Sequence, residues 1–165
     1  MRGPVGTQYE LWAAYDVFVG YLLLDAWIAN TDRHALNWAV LQEPEGALRL
    51  APSFDHGSSL ASGTTEEYRA GLLCAGHVNV WCEKGLTRRQ LRFDLPEGTT
   101  LVEVAANALA LASGPAREHW VSQFTSVDLD LCNDLVVGIP DLSEPTRTFI
   151  NEVLTINMMR IRDAF

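Results

Sequence analysis

The feature that most constrains this chain is the stretch from Asn30 to Gly57. It begins Asn-Thr-Asp-Arg-His-Ala-Leu-Asn-Trp and ends Phe-Asp-His-Gly. Between these lie two short apolar runs, Trp38-Ala39-Val40-Leu41 and Leu48-Arg49-Leu50-Ala51, flanking the linker Gln42-Glu43-Pro44-Glu45-Gly46-Ala47. Apolar runs on either side of a Pro/Gly turn predict a β-hairpin. Gly46 is equidistant in sequence from Asn37 and Asp55. Residues equidistant from the turn of an antiparallel hairpin face each other, with α-carbons roughly 5 Å apart. The hairpin is therefore expected to set the Asn37 amide oxygen against the Asp55 carboxylate, with Asp32 and His34 on the loop just before it. A hard cation such as Mg²⁺ takes oxygen ligands, one or two from protein and the rest from phosphates and water. The stretch reads as a metal-phosphate site.

The segment feeding this motif is strongly apolar. Thr7-Gln8-Tyr9-Glu10 fits a capping box, and the helix it opens is expected to run to about Ala29. Leu11, Trp12, Tyr15, Phe18, Val19, Leu22, Leu23, Ala26 and Trp27 fall at helical spacing. Ala13, Val17, Leu24 and Ile28 make the opposite side apolar as well. A helix apolar all round is normally a buried central post. Asp16 and Asp25 interrupt it, which argues against a membrane span.

Composition narrows the class of partner. The 165 residues fit a single domain spanning 1–165, large enough to bury a core. A net charge of −9 with no basic stripe makes nucleic acid an unsuitable direct partner, but Mg²⁺ between carboxylates and phosphates would accommodate a nucleotide. Met1 to Thr7 lack the pattern of a secretory signal. Three cysteines, Cys74, Cys82 and Cys132, show no paired spacing, which points to a reducing, cytoplasmic compartment. Cys74, His77 and Cys82 read as small buried or loop residues, since no second ligand pair has zinc-type spacing.

Beyond Gly57 the chain reads as a loop to Thr65, expected to be mobile and at the surface. A short helix near Glu67–Leu73 and a strand near His77–Trp81 follow, then Gly-Leu-Thr-Arg-Arg-Gln-Leu-Arg. Thr100 and Glu103 form a second capping box, for a helix to Ser113 that Gly114-Pro115 would end. Helices are expected over Ala116–Phe124 and Val127–Val137. A last one starts at Ser143, with Phe149, Ile150, Val153, Leu154, Met158 and Ile161 facing inward. The expected fold class is mainly α with a small β-hairpin.

Phosphoryl transfer needs a carboxylate to orient the attacking hydroxyl and cations to neutralise the phosphates, with little further covalent chemistry. Asp32 is placed for the first role, and Asn37 and Asp55 for holding Mg²⁺. His34 would fix the loop or support charge on the phosphoryl group. Each residue alone has an ordinary structural role available, such as capping a turn or closing a loop. Their joint pattern favours the chemical reading. A metal-dependent hydrolase using Asp32, His34 and Asp55 is the weaker alternative, because His34 and His56 lack ligand spacing on one helix.

Asp32-Arg33-His34-Ala35-Leu36-Asn37 resembles the catalytic loop of the atypical kinases, the phosphoinositide kinases and the HipA-like serine/threonine kinases. The HipA-like family is the most similar, through Asn30–His34 together with Leu50-Ala51-Pro52-Ser53-Phe54-Asp55. Asp55-His56-Gly57 is also similar to the Asp-Phe-Gly of protein kinases, and Ile139–Ser143 with its helix looks like the family's closing helix. The resemblance implies the C-lobe of a protein-kinase-like fold, with ATP and Mg²⁺ as cofactors and Asp32 as catalytic base. It gives His34 a supporting catalytic role, and Asn37 and Asp55 the metal and cofactor roles. It implies a protein substrate with a Ser or Thr acceptor, often within toxin–antitoxin systems. The Gly-rich N-lobe that would cover ATP is expected to be absent, since only Met1 to Gly6 precede the first helix, and Lys84, the sole Lys, falls after the metal site. The implied partner is a chain supplying that lobe, or an antitoxin-like regulator. Without one, a catalytically inactive, pseudokinase-like binding module is the alternative.

Overall fold

The computed structural model describes residues 1–84 and 98–165. The described chain is mainly helical and carries one antiparallel hairpin. Helix α1 (Ala14–Trp27) leads to strands β1 (Val40–Gln42) and β2 (Leu48–Leu50), then to α2 (Glu66–Ala75) and α3 (Val78–Glu83). Helices α4 (Leu101–Ala110), α5 (Gly114–Thr125), α6 (Leu129–Val137) and α7 (Glu144–Asp163) complete the order. No described helix is long and apolar enough to cross a membrane.

Helix α1 is the central post, packed against α4, α5, α7 and β2. Its Val19, Leu22, Leu23 and Ala26 join Leu101, Ala105, Trp120, Phe124 and Met158 in the largest buried cluster. The post starts six residues later than the capping-box pattern predicts. Residues 7–13 are drawn into turns because the N-terminal stretch takes their backbone groups: Gly3 N–H donates to Trp12 O at 2.9 Å, and Glu10 N–H to Thr7 O at 3.1 Å. The Glu10 carboxylate reaches back to Gly6 N–H at 3.0 Å rather than to Thr7. Arg2 meanwhile pairs with β2, its N–H donating to Leu48 O and its carbonyl accepting from Leu50 N–H.

The polar residues of α1 are tied into the structure. The Asp16 carboxylate accepts from Ser113 N–H at 2.9 Å and Ser113 Oγ–H at 2.7 Å, and the Asp16 carbonyl accepts from Trp120 Nε1–H at 2.7 Å. Gly20 lies against the same indole, where a β-carbon would come within 2.4 Å of Trp120 Cζ2.

The second capping box forms as read, with Thr100 and Glu103 bonded reciprocally at the start of α4. Gly114-Pro115 does not end that helix. It opens the next one, with Ser113 as N-cap and Pro in the first turn, a position where the missing N–H costs nothing. The strand expected near His77–Trp81 is the helix α3. Helical spacing sends Val78 and Cys82 together into a cluster with Phe149 and Val153, so tertiary packing overrides the β-branched preference. The 58–65 loop is also less exposed than its composition implies. Ser59 and Ala61 are buried, and Leu60 N–H donates to Ile28 O at 2.8 Å. All six inward positions read for the last helix are buried in α7. The Gly-Leu-Thr-Arg-Arg-Gln-Leu-Arg segment lies outside the described residues.

Candidate active site

The site is assembled where α1 ends. Ala29 adopts a left-handed conformation (φ 53°) that turns the chain sharply, so Asn30 N–H donates to Asp25 O at 2.8 Å. The Asn30 side chain follows, its Nδ2–H donating to Asp25 Oδ1 at 2.8 Å. The loop then folds onto itself. Asp32 N–H donates to Asn30 Oδ1 at 3.2 Å, His34 N–H to Asp32 O at 2.8 Å, and Asn37 N–H to His34 O at 2.9 Å.

Arg33 locks this loop in place. Its side chain is fully buried (0 % exposed), and Asp25, its ionic partner, is 1 % exposed. All five guanidinium N–H groups have acceptors. Nε and Nη2 form a fork on the Asp25 carboxylate at 2.7 and 2.8 Å. Nη1 donates to Asn37 O at 2.6 Å and Phe54 O at 3.1 Å, and Nη2 also donates to Ser53 Oγ at 3.0 Å. One nitrogen thus joins the loop residue Asn37 to the residue preceding Asp55. A planar fork on a carboxylate with further fixed donors is a task for Arg rather than Lys. His56 closes the network, with Nε2 3.1 Å from Ser53 Oγ and Nδ1 3.4 Å from Arg33 Nη2.

The hairpin register differs from the expected one. Val40 pairs with Leu50, Leu41 with Arg49 and Gln42 with Leu48, which centres the turn on Glu45 rather than Gly46. Gly46 N–H donates to Glu43 O at 2.8 Å, and Glu43 N–H donates to Ala47 O at 2.9 Å. With Gly46 at φ 84°, this is a three-residue loop closed by a left-handed glycine. Asn37 and Asp55 are therefore not facing partners in the ladder, whose last bond runs from Ala51 N–H to Ala39 O. What links their surroundings is Arg33. Tyr21 secures the base of the hairpin to α1, donating to Ala51 O at 3.1 Å.

The four residues singled out in the sequence occupy distinct positions. Asp32 lies on the loop with one carboxylate oxygen 3.4 Å from the exposed Ser58 hydroxyl, which donates to it. His34 Nε2 is 3.8 Å from the other. Leu36 N–H donates to His34 Nδ1 at 3.1 Å, so a neutral His34 carries its proton on Nε2, facing Asp32. Asn37 is buried, and its Nδ2–H donates to Asp32 O at 2.8 Å. That bond fixes the amide orientation and leaves Oδ1 as the atom available to a ligand. Asp55 is exposed, in a left-handed conformation (φ 56°) that Asp tolerates better than most residues. Asp32, His34 and Asn37 are thus brought together in one loop, and the carbonyl of Phe54, one residue before Asp55, shares a guanidinium nitrogen with the Asn37 carbonyl.

Two carboxylates and an amide oxygen are hard donors that suit Mg²⁺ shared with phosphates. No three His, Cys, Asp or Glu side chains among the described residues form a metal cluster on their own. Next to Asp32, the 57–64 segment with Thr31 and Trp81 borders a cavity of about 530 Å³. Sequence reasoning missed the network of Asp25, Arg33, Ser53 and His56. The available signal was Asp25 itself, a charge near the end of a strongly apolar helix.

No protein-family model matches the sequence, and no curated protein matches it. Among solved structures, the chain is similar to a Helicobacter pylori proinflammatory kinase, CtkA, with a TM-score of 0.68 at 19 % identity. The match covers 91 % of this chain and 51 % of the kinase, so the chain spans about half the length of that neighbour. What the likeness shows is a fold: mainly helical, with one hairpin, and kinase-like.

Proposed function

We propose that this chain is the C-lobe of a phosphotransferase of the HipA-like serine/threonine kinase type, using ATP and Mg²⁺ and completed by an ATP-covering lobe. The observation that carries the reading is the Arg33 lock, which presents Asp32 and Asn37 on one loop and anchors the backbone leading to Asp55. A fully buried guanidinium at such a junction serves to hold neighbouring groups in fixed positions.

Asp32 orients the acceptor hydroxyl and takes its proton, as the carboxylate in a phosphoryl-transfer site does. Ser58 Oγ–H already donates to that carboxylate, at the place an incoming hydroxyl would take. His34 Nε2–H faces Asp32 and steadies its charge. Asn37 Oδ1 and the Asp55 carboxylate would hold Mg²⁺, which when bound neutralises the phosphates. The cavity bordered by residues 57–64 and Trp81 would receive the chain around a Ser or Thr acceptor of a protein substrate. That substrate class follows from the resemblance, as does a toxin-like role under an antitoxin-like regulator.

The assay is phosphate transfer from ATP with Mg²⁺, with the chain combined with a supplied ATP-covering lobe. Asp32→Ala is expected to lower turnover by about two to four orders of magnitude, the usual contribution of a positioned acid–base group. Turnover unaffected by that substitution refutes the assignment. A second reading is a pseudokinase-like binding module, which keeps the fold without the transfer. It predicts no transfer in any reconstitution.

A further inference from the structure

We propose that the groove between α6 and α7 docks a basic, amphipathic helical segment of a partner protein. This inference is independent of the phosphotransferase reading. The groove has a volume of about 900 Å³, larger than the cavity beside Asp32. Its apolar lining comes from Leu129, Cys132, Val137, Leu154 and Ile156. Along α7 its wall runs from Glu144 through Thr148 and Asn151 to Thr155, a single helix face at three- and four-residue spacing. At about 1.5 Å per residue that wall is ~16 Å long, matching about three turns of a partner helix.

The charge of the groove selects the occupant. Asp130, Glu144 and Glu152 line it, all exposed. No ion pair to any of the three forms among the described residues. Asp130 and Glu144 stand in the first turns of their helices, where the dipole favours them, but Glu152 is in the middle of α7 and gains nothing from it. Arg147 also lines the groove, but its guanidinium is occupied by backbone carbonyls. It donates to Leu142 O at 3.0 Å, Val136 O at 2.8 Å and Ile139 O at 2.7 Å, and also to Val137 O. The groove therefore presents an apolar floor under net negative charge. A segment with leucine-like anchors on one face and Lys or Arg beside them meets both.

The test uses the full chain and a labelled synthetic helix of leucine and lysine, read by fluorescence anisotropy. A leucine–glutamate helix serves as the negative control. Saturable one-to-one binding is expected, weakened about tenfold or more by the pair Asp130→Lys and Glu152→Lys. It should be retained in Glu45→Lys with Glu118→Lys, two exposed carboxylates elsewhere that change net charge equally. Asn151→Trp, which fills the groove, should abolish binding; if that variant fails to fold, the surface pair carries the test. Equal loss in both charge-reversal pairs would reduce the effect to net charge and overturn the proposal. Absence of saturable binding would also overturn it, as would a self-association in sedimentation that the groove variants abolish, since the occupant would then be a second copy of the chain.

Discussion

Replacing Asp25 by Asn tests the Arg33 lock while barely changing shape. The native carboxylate takes two guanidinium N–H groups at 2.7 and 2.8 Å and the Asn30 amide at 2.8 Å, in a region where both ionic partners are almost completely buried. The amide offers one oxygen in place of two and turns an NH₂ toward a cation that only donates. Arg33 is left charged, buried and unpaired. Removing one member of a buried pair costs about 3–5 kcal/mol. For a domain of this size each kcal/mol moves Tm by about 2–4 °C, so a fall of about 6–20 °C is expected in thermal unfolding followed by circular dichroism. The loss should have a location. Amide exchange should quicken over 34–37 and 54–58, because Arg33 holds the Asn37 and Phe54 carbonyls. Asp25→Leu with Arg33→Met separates stability from order. An apolar pair of similar volume is often no less stable than the ion pair it replaces, so Tm should largely recover while exchange in the two segments stays fast. A Tm within about 2 °C of native for Asp25→Asn, with unchanged exchange, would refute the reasoning.

Two further expectations concern the core. Gly20→Ala drives a methyl group into the Trp120 indole and should cost about 1–3 kcal/mol, read as a lowered urea midpoint with a shift in tryptophan emission. An unchanged midpoint would mean that α1 and α5 are not in contact there. Burial pushes the Cys82 thiol up to about 12, whereas Cys74 is exposed. At pH 8 iodoacetamide should therefore modify Cys74 rapidly and Cys82 only on unfolding, as mass spectrometry of partly alkylated protein would show. Equal rates would contradict the packing of α3 on α7.

The fold was legible where local chemistry and tertiary packing agree. The Thr100–Glu103 box and the inward stripe of α7 are of this kind, since each needs only its own helix to be recognised. The hairpin was legible too, but its register was not. Pro44-Glu45-Gly46 supports a loop centred on either of its last two residues, and the left-handed Gly46 puts the centre on Glu45. Moving the turn centre by one residue shifts every partner by two and takes Asp55 away from the position opposite Asn37. Helix α3 shows the opposite limit, a β-branched sequence made helical by neighbours 70 or so positions away, which no local window contains. The candidate residues Asp32, His34, Asn37 and Asp55 stand out in the sequence only as a pattern. Their support does not stand out, because the burial of Arg33 depends on Asp25, Asn37, Ser53 and Phe54 converging from separate segments.

Metal binding is the most direct test of the account as a whole. Mn²⁺ accepts the same oxygen ligands as Mg²⁺ and broadens nearby amide resonances, so titrating it into the labelled chain with an ATP analogue reports where the ion sits. The account predicts broadening centred on residues 31–37 and 54–58, lost in Asp55→Ala and in Asn37→Leu. Broadening that survives both substitutions, or that centres on the carboxylates of α6 and α7, would contradict it.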